Sequence, residues 1–294
     1  MKEREGLESD KQAHVRNFSA VRRIVIKVGT SLLRKADAGV DRRCIKNIAE
    51  QIAGMRSGSA RVRRQIVLVS SGAVGFGMLR LGLTRRPADV ATLQAVAAIG
   101  QPELMQAWAD AFSSHGIRVS QLLLPIDGLR SQDRFLNAKN ALLRILDLKV
   151  VPIVNENDTV AVEELTFGDN DRLSALVAAM IDADMLVNLT DVDGVKDSDG
   201  NVLHTVPLIR REWIKTVILS KRQSGFTVGG MGAKLNAAQI ALQSGIPVVI
   251  ANGRTKKILT SILNGDSAGT LFLPKKEGLK GKKIWLSLFP APEG

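Results

Sequence analysis

The 294-residue chain reads as an α/β protein, a mostly parallel sheet sandwiched between helices in a three-layer αβα arrangement. Three observations predict this. Short β-branched runs alternate with longer helical patterns from about Arg22 to Pro274. The β-branched runs are continuously apolar, as strands covered on both faces are. Aromatic residues make up only 4%, with no Tyr, against 45% hydrophobic residues, so the interior is aliphatic.

Taken in order, residues 24–28 form the first strand and 44–56 the first helix. Residues 66–69 form the second strand, with no helix of ordinary strength immediately after it, because glycines crowd Ser70-Ser71-Gly72-Ala73-Val74-Gly75-Phe76-Gly77. A long helical pattern then covers 90–113, and strand 119–124 is followed by helix 133–148. Strand 150–154 leads to a helix over 171–183, where Leu173, Leu176, Val177, Met180 and Ile181 recur at helical spacing. Strand 185–189, helix 231–243, strand 247–250 and helix 256–263 complete the series. Residues 1–20 are mixed in charge and read as a disordered extension. Residues 21–274 read as one domain, and 275–294, rich in Lys, Gly and Pro, as a loosely attached tail.

Lys and Arg number 41 against 29 Asp and Glu, a formal charge of +12, which suits anionic partners such as nucleotide or nucleic acid. Much of the excess sits in short runs such as Arg61-Val62-Arg63-Arg64, which solvated loops also explain. The single Cys44 leaves no intrachain disulfide, and His14, His115 and His204 lack metal-ligand spacing, so no protein metal site is expected. The first twenty residues have no apolar central run, and Asp182 and Asp184 interrupt the longest apolar stretch. A cytoplasmic protein without a membrane partner is therefore expected.

Ligands of such sheets gather at the carboxyl ends of the strands. Those ends carry Gly29-Thr30-Ser31, Ser70-Ser71-Gly72, Asn155-Glu156-Asn157-Asp158, Thr190-Asp191 and Asn252-Gly253. Lys27 interrupts an aliphatic strand; a lysine there needs an anion, unless it snorkels to solvent. Gly168-Asp169-Asn170-Asp171 runs straight into a helical pattern, which places carboxylates at a helix N-terminus or makes them a plain cap. Val228-Gly229-Gly230-Met231-Gly232-Ala233-Lys234 opens another helix, where glycines let phosphate oxygens approach backbone donors and Lys234 adds a cation. The Walker pattern fails there, since Ala233 and Leu235 flank Lys234. Two lysines, two glycine-rich loops and an acidic-amide cluster point to phosphoryl transfer, which works by placing positive charge around the moving phosphate.

These motifs, in this order, resemble the glutamate 5-kinases of the amino acid kinase superfamily over roughly residues 22 to 274. Acetylglutamate kinases look for Gly-Gly-Gly where this chain has Ser70-Ser71-Gly72, and aspartokinases for a second glycine after Gly29. The resemblance implies an ATP-dependent kinase that phosphorylates the side-chain carboxylate of L-glutamate and opens proline synthesis. Position by position it implies Lys27 and Lys234 beside the transferring phosphate, with Asp171 holding both ammonium groups. Ser71, Asp158 and Asn170 would bind glutamate. Thr190, Asp191 and the loop Val228, Gly229, Gly230, Met231, Gly232, Ala233 and Lys234 would face ATP. Mg²⁺ would be held mainly by phosphate oxygens, with no protein ligand named. Feedback inhibition by proline and a homo-oligomer belong to the same expectation; a nucleic-acid partner does not. Val228 and Ala233 stand where the family usually has Thr, Thr166 where a basic residue is common, and a C-terminal PUA domain is not expected. The competing readings are another small-acid kinase of this fold and a nucleic-acid-binding regulator that kept it.

Overall fold

The computed structural model describes residues 18–35, 39–57, 63–160, 169–206, 228–274, 285–286 and 288–289. Among them, eight strands form one sheet in the order β3-β4-β2-β1-β5-β7-β8-β6. The strands are β1 (Arg23–Val28), β2 (Gln65–Ser70), β3 (Val119–Leu123), β4 (Val151–Asn155), β5 (Met185–Thr190), β6 (Thr205–Val206), β7 (Val248–Asn252) and β8 (Thr270–Phe272). Every pairing is parallel except β7 with β8. The helices are α1 (Thr30–Leu33), α2 (Arg42–Ser57), α3 (Ala73–Arg80), α4 (Val90–Ser113), α5 (Gln132–Asp147), α6 (Asp169–Met180), α7 (Val228–Gln243) and α8 (Ile258–Asn264).

Strand alternation sorts the side chains into two cores. Ile24, Ile26 and Val28 of β1 pack under α2 and α4 with Ile45, Ile48, Leu104 and Trp108. Val25 of the same strand joins Leu142 of α5, Leu176 of α6 and Leu235 of α7 on the other face. Burying each such aliphatic side chain contributes about 1.5–3 kcal/mol relative to leaving it exposed. Because Lys27 shares the parity of Val25, its side chain turns toward the α5–α6–α7 layer.

Four sequence expectations change. A helix does follow β2 at once. Gly72, at φ 122°, takes the backbone conformation that starts α3. The glycines in α3 are for close packing: a Cβ on Gly77 would fall 1.9 Å from the carbonyl oxygen of Val96. On the facing helix, a Cβ on Gly100 would fall 1.9 Å from the carbonyl oxygen of Ala73 and 2.2 Å from the nitrogen of Gly77. Second, the last helix begins at Ile258 because Lys257 adopts a left-handed φ of 55°. Third, β8 and the edge strand β6 beside it are too short for a periodicity to register. Fourth, within 275–294, Trp285, Leu288 and Phe289 pack against the body of the protein. Trp285 Nε1 donates to the Leu129 carbonyl at 3.2 Å, and Phe289 is buried in the second core.

No helix among the described residues is long and apolar enough to cross a membrane.

Candidate active site

β1 and β5 pair in register so that Lys27 lies opposite Asn188, and both strands send those side chains to the α6 face. α6 begins at Asp169, two residues earlier than its apolar periodicity suggests, which places Asp171 in its first turn. Rather than capping the helix, the Asp171 carboxylate reaches across to the strands. Oδ1 lies 2.6 Å from Lys27 Nζ and accepts from Asn188 Nδ2 at 2.7 Å; Oδ2 lies 3.0 Å from Lys234 Nζ. All three charges are withdrawn from water, with side-chain exposures of 5% for Lys27, 2% for Asp171 and 12% for Lys234.

Two ammonium groups against one carboxylate leave a net positive charge in a low-dielectric setting. Burial, offset in part by Asp171 and deepened by Lys234, brings the Lys27 pKa down to about 8. Burial pushes the Asp171 carboxyl up, but Lys27, Lys234 and the Asn188 amide outweigh it, so the group titrates below the ordinary carboxylate range. An arrangement of this kind lacks an anion, and a phosphate oxygen would restore the balance.

Beside the triad runs a chain of neutral hydrogen bonds. Asn170 Nδ2 donates to Ser71 Oγ at 3.0 Å and to Asn155 Oδ1 at 2.9 Å, while its own Oδ1 accepts from the Glu156 backbone N–H. Asn155 Nδ2 continues to Gln101 Oε1 on α4 at 2.9 Å. Trp108 Nε1 holds Ser70 Oγ at 2.9 Å, which fixes the end of β2 next to Ser71. Asp158 lies half-buried in the turn after β4.

The segment expected to face ATP differs from a loop before a helix: α7 already begins at Val228, so its first turn carries the glycines and its four leading N–H groups have no partner within the helix. Gly230 is exposed, and a Cβ there would meet no atom of the described residues within 4 Å. Lys234 extends from the second turn back to Asp171. Thr190 is buried at the end of β5 and donates from Oγ1 to Asp191 Oδ1 at 3.1 Å, with Asp191 itself exposed. Gly29 follows β1 with its N–H bonded to the Leu189 carbonyl at 3.2 Å, and a Cβ on it would lie 3.5 Å from Lys27 Nζ.

Lys27, Asp171 and Lys234 are therefore in direct contact, Ser71 and Asn170 are bonded to each other, and Thr190, Asp191, Asp158 and the start of α7 sit on the elements expected to carry them. Thr166 lies outside the described residues, as do the side chains of Asp169 and Val228. Sequence reasoning did not single out Asn188 or Gln101. Asn188 carried the same signal as Lys27, a polar residue amid an apolar strand; Gln101 carried none, being one amide in a long helical pattern.

Residues 22–252 match the amino acid kinase family, and the chain belongs to it. Among its curated relatives is the glutamate 5-kinase of Geobacter sulfurreducens, 42% identical over 282 residues, covering 94% of this chain and 74% of the relative. That of Acinetobacter baumannii is 40% identical over 275 residues, covering 92% of this chain and 72% of the relative. At this likeness the family narrows to the glutamate 5-kinases. A solved structure, carbamate kinase from Giardia lamblia bound to AMP-PNP, superposes with a TM-score of 0.61 at 19% identity, over 87% of this chain and 99% of that one. It bears out the fold.

Proposed function

We infer that this chain transfers the γ-phosphoryl group of ATP to the side-chain carboxylate of L-glutamate, giving L-glutamyl 5-phosphate, the first step of proline biosynthesis. The observation that carries the reading is the buried, net-cationic Lys27–Asp171–Lys234 cluster at the carboxyl edge of the sheet, in a chain of glutamate 5-kinase kinship. In the reaction a carboxylate oxygen forms a bond to the γ-phosphorus, the bond from that phosphorus to the bridging oxygen breaks, and ADP leaves with the electron pair. The acceptor is already ionised at neutral pH, so no general base is needed. What the site must overcome is repulsion between two anions, and Lys27 and Lys234 supply the opposing charge without reorganising.

Ser71, Asn170 and Asp158 orient glutamate, with Asp158 toward the α-ammonium group. The first turn of α7, Thr190 and Asp191 receive ATP. Mg²⁺ fits as an ion carried in on phosphate oxygens: the buried carboxylate of the site is already taken by two ammonium groups and an amide, and no cluster of three metal-ligating side chains occurs among the described residues. Bound there, the ion would neutralise triphosphate charge. Inhibition by proline, a homo-oligomer and a cytoplasmic location are proposed on the family likeness alone.

The direct test traps the acyl phosphate with hydroxylamine. L-glutamate with MgATP should give hydroxamate, and N-acetylglutamate, which lacks the ammonium group, should give little; equal turnover of the two would overturn the assignment. Lys27→Ala and Lys234→Ala should each lower kcat by roughly two orders of magnitude or more, since each removes charge that acts most in the transition state. Steady-state kinetics within a few-fold of wild type for both would refute the two-lysine mechanism.

A pH profile offers a separate check. With Lys27 titrating near 8 in the free protein, kcat/KM for ATP should fall as pH rises through that value. The same group acts on stability with the opposite sign. Its folded pKa lies below the ordinary lysine value of 10.5, so its contribution to folding stability rises between about 8 and 10.5. An alkaline limb that persists unchanged in Lys27→Arg would assign the titration elsewhere.

A further inference from the structure

At the amino-terminal edge of the sheet, opposite the kinase site, a cavity of about 540 Å³ opens where β1 and β2 begin. Arg22, Arg23, Arg56, Arg63, Arg64 and Lys149 all line it, with three aspartates. Its position is separated from Lys27 by most of the length of β1, on the order of 13 Å.

The guanidinium groups are held but not answered. Arg23 Nε donates to Gln65 Oε1 at 3.0 Å and its Nη1 to the Ile181 carbonyl, while Arg56 Nη2 donates to the Lys149 carbonyl at 2.7 Å. Arg56 Nη1 and Arg64 Nε are buried donors with no acceptor among the described residues. The aspartates are engaged elsewhere or out of reach. Asp184 Oδ2 accepts the backbone N–H groups of Arg22 and Arg23, each at 2.7 Å, and Asp182 pairs with Lys139 at 2.8 Å. Asp147 makes no ion pair, and none of the five arginines has a carboxylate partner among the described residues. Burial, and then the charge of Arg63, lowers the pKa of Arg56, so the cluster is mutually repulsive as it stands. Water accepts from such donors but carries no charge to set against neighbouring cations.

We propose that this cavity is a second anion site that binds a small phosphate ligand, orthophosphate or pyrophosphate, independently of the kinase site. Buried donors from two different arginines call for a ligand with several acceptor oxygens at once, and the planar guanidinium fork matches phosphate geometry. The volume lies in the range of small-ligand sites. The inference does not rest on the substrate assignment.

The test is calorimetric titration of the full chain, with orthophosphate in one arm and pyrophosphate in the other, at low salt. The kinase site is first filled with glutamate and a non-hydrolysable ATP analogue. Saturable binding of at least one anion should persist, and the stronger arm identifies the ligand. Affinity should drop at least tenfold in Arg56→Gln/Arg64→Gln. Arg63→Glu, on the exposed rim, guards against a folding defect in that double variant: it should retain wild-type turnover and lose anion affinity to a similar degree. The proposal is overturned if neither anion binds once the kinase site is filled, or if Arg63→Glu binds as tightly as wild type.

Discussion

Asp171→Asn is expected to lower kcat/KM by at least about two orders of magnitude and to destabilise the protein by roughly 3–5 kcal/mol, the range for removing one member of a buried ion pair. The amide keeps the shape of the carboxylate and still meets Asn188, but it leaves two buried ammonium groups without a counter-charge. Lys27, whose pKa is already near 8, can escape part of that cost by shedding its proton. The destabilisation should therefore be larger at pH 6, where protonation is enforced, than at pH 9. Urea denaturation at the two values measures it. A variant as stable as wild type at pH 6 would mean that the carboxylate is not what compensates the lysines.

Gly100→Ala is expected to be nearly as damaging through packing alone. The added carbon would sit 1.9 Å from one backbone atom of α3 and 2.2 Å from another, so no side-chain rotation can accommodate it. The two helices would have to separate, at about 3 kcal/mol or more, the upper end for overpacked cores. In a chain of this size that corresponds to a fall in Tm of roughly 6–12 °C. Gly75→Ala, where a Cβ would meet nothing within 4 Å, is the matched control. Thermal unfolding should separate them clearly; equal Tm values would mean that the α3–α4 crossing is looser than its geometry implies.

The sheet was legible because parallel strands covered on both faces are apolar throughout, and runs such as Ile66-Val67-Leu68-Val69 admit few other readings. α3 was not legible. Its glycines read as helix breakers, while the property that requires them, close approach to α4, depends on a partner some twenty residues away. Lys27 and Asp171 stood out because charge among apolar neighbours must be answered, and the answer proved to be each other. Their meeting with Asn188 depended on strand register, which no single segment encodes. The basic cavity escaped notice for a similar reason: its arginines come from the start of β1, the end of α2 and the approach to β2, and only folding brings their like charges together.

The triad also has a history in time. Lys27 sits on a central strand made early in synthesis, Asp171 and Asn188 come from the middle of the chain, and Lys234 arrives on a helix near the end of the described fold. A nascent chain that has emerged only as far as β5 holds both members of the Lys27–Asp171 pair, which together carry no net charge. The surplus charge appears when α7 docks. Under the proposed function, the positive charge that would draw a triphosphate is therefore complete only in a chain that has emerged through α7, after most of the sheet has been made.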